Sequence, residues 1–133
     1  MLEITKGNAL AADFCQSFVS RVHFVDDIVD ENKAPSDEAL VKSEQDFLEQ
    51  FMLNPWAKEF QAFLWPLMVV GFNAWLDANE WSKGRNKVLK ADAEVLKSTY
   101  QEVIWFTAYL CGGREHMRAM SRKYRDVDHE ERN

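Results

Sequence analysis

The chain has 133 residues, 47% of them hydrophobic and 13% aromatic, so it can bury a core as one domain and is too apolar to be a disordered tail. Its net charge of −6 and pI near 5.1 argue against nucleic acid or an anionic membrane as partner, since both select a basic face. The opening MLEITKGNAL has neither the basic start nor the apolar run of a secretory signal, so a cytoplasmic setting is expected. Cys15 and Cys111 sit in apolar helical patterns with no CxxC or Cys/His framework, which predicts two buried thiols.

No segment alternates with the period of a strand, and three Pro and five Gly fall at plausible boundaries. The pattern predicts an all-α fold, an up-down bundle of four to five helices around one kinked, buried central helix. Residues 1–124 form the expected single domain, and 125–133 a charged tail expected to fray.

The first helix is expected over about Ala9 to Glu31, with Phe14, Phe18, Val22, Val25, Ile28 and Val29 on the core face. Asn32-Lys33-Ala34-Pro35 ends it, because the residue before proline avoids helical geometry. Ser36 caps a second helix reaching about Leu53, and Asn54-Pro55 opens a third, as cap and first helical residue. The third helix is expected to run to about Glu80 with a kink at Pro66. Between Phe60 and Leu76 it carries no charge and is apolar nearly all round, the mark of a buried helix. That run is too short and too interrupted by Pro66, Gly71 and Asn73 to span a membrane.

Ser82 to Lys87 forms a basic loop, and a fourth helix is expected from about Val88 to Leu110. Gly112-Gly113 stops it, a short amphipathic helix from Arg114 to Tyr124 follows, and Arg125 to Asn133 is the tail. Trp56, Trp65, Trp75 and Trp81 fall on different sides of the third helix, more than one small bundle covers, so a homodimer or another protein partner is a further expectation.

The stretch that asks for a function is RVHFVDDIVDE, Arg21 to Glu31. Asp26/Asp30 and Asp27/Glu31 are like-charged pairs four residues apart at the end of a helix, where anions also oppose the helix dipole. Together they cost on the order of 1–3 kcal/mol unless water or a cation relieves them. A second acidic strip, Asn73, Asp77 and Glu80, recurs along one face of the third helix.

If the first and third helices run parallel, Asp26, Asp27, Asp30, Asp77 and Glu80 share one end as a site for Mg²⁺, or Mn²⁺ or Ca²⁺. Lys33 and the loop residues Lys83, Arg85 and Lys87 join them there, placed to hold a phosphorylated small molecule. The plainer reading is a solvated helix end with ordinary loop cations. His23 reads as a structural histidine or a ligand, and Glu94, Ser98 and Glu102 as a polar row rather than a third ligand set. His116 and His129 read as exposed. No motif nominates a catalytic residue.

Asp26-Asp27-Ile28-Val29-Asp30 resembles the DDxxD motif of class I isoprenoid synthases, whose carboxylates hold Mg²⁺ on a diphosphate; Asn73, Asp77 and Glu80 are a fainter match to the second metal motif. The resemblance implies the metal rather than the reaction, because the chain is about half the length that family needs. Asp27-x-x-Asp30 and Asp77-x-x-Glu80 are similar to degenerate forms of the paired acids of all-α nucleotide pyrophosphohydrolases. Over most of its length, through DDIVDENKAPSDEAL, NPWAKEF, NAWLDANE, STYQEV and the later GG, the chain resembles small all-helical proteins encoded in tailed-phage and prophage gene clusters. That resemblance implies a phage-associated accessory protein, with a phage or host protein as partner. Two functions therefore stand side by side: a helical accessory protein with an acidic cation site, and a metal-dependent phosphohydrolase-like enzyme acting on a nucleotide or other diphosphate.

Overall fold

A computed structural model describes residues 1–31 and 34–132, with side chains as far as Arg125. Lys33 and Asn133 lie outside the described residues. Every regular element among those residues is helical: α1 Ala9–Glu31, α2 Asp37–Met52, α3 Pro55–Glu59, α4 Gln61–Lys83, α5 Lys87–Lys97, α6 Gln101–Gly112 and α7 Arg114–Arg132, with a 3-10 turn, Ser98–Tyr100, between α5 and α6. The last helix extends past Tyr124, the end expected from its amphipathic pattern.

The caps fall where short polar side chains can take up free backbone N–H groups. Ser36 Oγ accepts from the Ala39 amide at 3.1 Å. Asn54 Oδ1 accepts from Trp56 and Ala57, and its amide nitrogen donates to the Leu10 carbonyl at 2.8 Å. The start of α3 is thereby tied to the start of α1. Farther along, the Arg21 guanidinium reaches Ser43 Oγ and Glu44, both at 2.8 Å. These ties order α1 and α2 antiparallel.

Two expected long helices are interrupted. The fourth is split by Ser98–Tyr100, where Ser98 Oγ donates to the Val95 carbonyl at 2.7 Å and Thr99 Oγ1 to the Leu96 carbonyl at 2.6 Å. Such hydroxyls offer the chain an alternative to regular helical pairing. The third breaks at Phe60, whose amide is shared between the Trp56 and Ala57 carbonyls, while Pro66 stays within α4.

Phe14, Cys15, Phe18 and Val22 of α1 pack with Trp56, Leu64, Met68, Tyr100 and Val103 in the main core. A second cluster joins Ile4, Ile104, Trp105, Ala108 and Met120. The N-terminal turns are held against α7 by His116, which donates from Nε2 to the Ile4 carbonyl at 2.8 Å, and by Lys123 on Glu3 at 2.8 Å. His116 is thus half-buried rather than exposed.

The expectation of a third helix buried all round is corrected by α4. It buries Leu64, Met68, Gly71, Ala74, Ala78 and Asn79 along one face, and leaves Phe63, Trp65, Val69, Val70, Phe72 and Leu76 exposed. Its apolar character all round therefore marks two different surfaces.

Gly113 ends α6 at φ 88 and ψ 179, a conformation open only to glycine. At Gly112 a Cβ would overlap the His116 ring. Gly113→Ala is expected to lower stability by about 1–3 kcal/mol in urea unfolding, with the α6–α7 junction loosening first by hydrogen exchange.

Candidate functional site

The cleft that gathers ionisable groups is built from three stretches of chain. The Phe18 ring lies 6.2 Å from Phe72, and Trp75 Nε1 donates to Asp26, so the second half of α1 lies against the middle of α4. The end of α5 and the 3-10 turn close the third side. A cavity of about 480 Å³ lies between them, lined by Val22, His23, Asp26, Asp27, Asp30, Trp75, Glu94, Lys97 and Tyr100. Its size is within the range of small-molecule sites.

Lys97 is the group that organises the acids. Its ammonium stands 3.1 Å from Asp26 Oδ1 and 3.1 Å from Asp30 Oδ2. Trp75 Nε1 donates to the same Asp26 oxygen at 3.0 Å. Burial alone would raise the Asp26 carboxyl, but Trp75 and Lys97 outweigh it and hold the group below its ordinary value of 3.8. Burial alone would likewise lower Lys97, yet the two aspartates raise it above 10.5. The cation that the acidic helix end calls for is thus supplied, for Asp26 and Asp30, by the chain itself. His23 Nε2 and the Tyr100 hydroxyl share a hydrogen bond of 3.3 Å on the neighbouring wall.

The expected site residues are divided by this geometry. Asp26, Asp27 and Asp30 line the cleft; Asp77 and Glu80 do not. Asp77 follows Trp75 by two residues, hence about 200° around the helix, and it lies with Asn73 and Glu80 on the exposed side of α4. Lys83, Arg85 and Lys87 are exposed and also stand outside the lining. Among the described residues no three His, Cys, Asp or Glu side chains are grouped to hold a metal ion.

The polar row Glu94, Ser98 and Glu102 is taken apart as well. Glu94 lines the cleft, Ser98 bonds back along its own helix, and Glu102 pairs with Arg125 at 2.8 Å. Lys97, Trp75 and Tyr100 were not legible as site residues. Their partners on α1 are some fifty to eighty positions away in sequence, and only the packing of α4 and the 3-10 turn on α1 brings them together.

No protein-family model, curated protein or solved structure matches this chain. Four carboxylates face one ammonium across a cavity with two aromatic side chains, leaving Asp27 and Glu94 as further acceptors for a positively charged group. Among the described residues, no helix is long and apolar enough to cross a membrane.

The two cysteines stand apart from this chemistry. Cys15 is fully buried, and burial pushes its thiol up to about 12, so it is a poor nucleophile. Cys111 is only partly buried and is raised by the same cause. Native alkylation should leave Cys15 unmodified and label Cys111 slowly, with both labelled in denaturant, as read by peptide mass.

Because the Asp26 carboxyl is held below 3.8 in the folded chain, its contribution to stability is present above that pH and is lost as pH falls through the lowered value. Trp75→Phe should cost about 1–2 kcal/mol at neutral pH, the scale of a hydrogen bond to a charged, partly exposed group. The difference from wild type should shrink below about pH 4, measured by urea unfolding across the acid range.

Proposed function

We propose that the protein is a helical accessory protein, phage-associated as its sequence blocks suggest, whose cleft between α1, α4 and α5 binds a cation-bearing small ligand. The frame of that cleft, on this reading, is a four- to five-helix bundle in up-down order. The observation that carries it is the charge balance of the lining: Asp26, Asp27, Asp30 and Glu94 against Lys97, around about 480 Å³. An excess of carboxylate in a concave, partly apolar site concentrates cations and favours their binding over anions. Trp75 and Tyr100 add faces that attract an organic cation.

The spread of the acids supports an amine or guanidinium ligand over a bare metal ion. A compact hard ion draws several oxygens to about 2.0–2.6 Å, whereas an extended amine can be met by carboxylates on opposite walls. Mg²⁺, Mn²⁺ or Ca²⁺ fits best when one or two carboxylates share it with phosphate oxygens of a second molecule.

That arrangement is the second reading, a metal-dependent phosphohydrolase-like enzyme acting on a nucleotide or other diphosphate. It is favoured by one observation: Lys97 and His23 line the same cleft as the acids. A phosphate would take Lys97 from its aspartates, which would then be free to hold the metal, and His23 would be at hand for proton transfer.

Calorimetric titration separates the two. Spermidine is expected to release heat that falls with added salt and weakens at least about tenfold in Asp27→Asn/Glu94→Gln, with little heat from Mg²⁺, Mn²⁺ or Ca²⁺ alone. Silence from every cation overturns the cation site. Magnesium-dependent phosphate or pyrophosphate release from nucleoside triphosphates, lost in His23→Ala, would instead establish the enzyme.

A further inference from the structure

The outer side of α7 carries a row of guanidinium groups. Arg114, Arg118, Arg122 and Arg125 recur at intervals of four, four and three residues, and all are exposed. That spacing keeps them within about 80° of one another around the helix and spreads them over about 16 Å of its length. Arg125 pairs with Glu102 at 2.8 Å and lies over the Trp105 ring, 5.5 Å from its centre. Arg114, Arg118 and Arg122 have no ion-pair partner among the described residues. The other side of α7 packs Met117, Met120 and Tyr124 against the cluster built on α6 and Ile4, so the row has a fixed support.

Arginines in these positions are locally unfavourable. Like charges four residues apart on a helix repel one another, and Arg114, in the first turn, also faces the positive end of the helix dipole. A bound anion relieves both.

The rest of the face selects the kind of anion. Between the arginines the exposed residues are Glu115, Ala119 and Lys123, so no apolar side chain larger than alanine is offered. An acidic protein or a membrane surface would need apolar anchors there. A single nucleic-acid strand would need aromatic faces for its bases to stack on, and Tyr124 is half-buried and donates to Glu3. Duplex DNA needs neither. Its interfaces are polar and basic, its major groove, about 12 Å wide, admits a helix, and guanidinium groups match phosphate oxygens. The deep, narrow major groove of duplex RNA does not accept the same approach.

The overall charge of −6 does not oppose this, because at physiological salt a charge acts over about 8 Å and a phosphate beside α7 meets the row. Asp126, Asp128, Glu130 and Glu131 follow in the sequence, which confines the attraction to close range. We infer that this side of α7 binds duplex DNA through its phosphates, independently of base sequence.

Fluorescence anisotropy of a labelled duplex of about 20 base pairs, titrated with the full-length chain, tests this. A dissociation constant of about 10⁻⁶–10⁻⁴ M is expected at about 50 mM salt, weakening about ten- to fiftyfold at about 200 mM as two or three phosphate contacts are lost. Arg118→Glu/Arg122→Glu should abolish binding with unchanged circular dichroism, and Arg118→Lys/Arg122→Lys should retain it within about threefold. Lys58→Glu/Lys90→Glu, the same change in total charge at two other exposed positions, should cost less than about threefold. No binding at low salt, or an equal loss in the two Glu double variants, overturns the inference. Tighter binding of a single strand of the same length, or of polyglutamate of similar length, overturns the choice of duplex DNA.

Discussion

The Lys97 ammonium between Asp26 and Asp30 is the constraint on which the functional end of the molecule depends. Acids gathered at a helix C-terminus repel one another and the helix dipole. They can be tolerated there because a cation from α5 sits between two of them while an indole N–H from α4 answers a third direction. One small ion-pair group thus links three helices that the core packing brings together, and it leaves Asp27 and Glu94 for whatever enters the cleft. Lys97 is one-fifth exposed, so its attraction is less screened than that of a surface pair.

The second organising feature is the two-faced character of α4. On one side small residues, Gly71, Ala74 and Ala78, let neighbouring backbone come close, with Tyr100 Cα only 3.6 Å from where a Cβ on Gly71 would stand. On the other, aromatic and branched side chains face outward. The cleft and the exposed apolar side chains therefore lie on different sides of one helix.

Much of the fold was readable from residue chemistry. Ser36 and Asn54 cap helices because short side-chain oxygens reach free amides, and Gly113 stops one because no other residue tolerates its φ. Where the reading failed, a local competition decided. Ser98 and Thr99 bonding back to their own helix turn one expected helix into two, and hydrophobicity on every side of α4, the usual mark of burial, marks an open surface on one side of it. The candidate site was legible only in part. Asp26, Asp27 and Asp30 were found because their charge is locally unfavourable, a property of spacing alone, whereas Asp77 and Glu80 were joined to them by topology, which says nothing about which way a helix is turned.

Local residue chemistry was enough for the caps at Ser36 and Asn54 and the stop at Gly113, for the Phe14, Phe18 and Val22 face by which α1 joins the core, and for an acidic helix end in need of a cation. These follow from interactions within a few residues of each other. Only the tertiary structure decided that the cation is Lys97, that Trp75 rather than Asp77 meets α1, and that Glu94 closes the cleft. Those pairings depend on the rotation and crossing of helices distant in sequence, quantities set by how whole cores pack and by no local pattern.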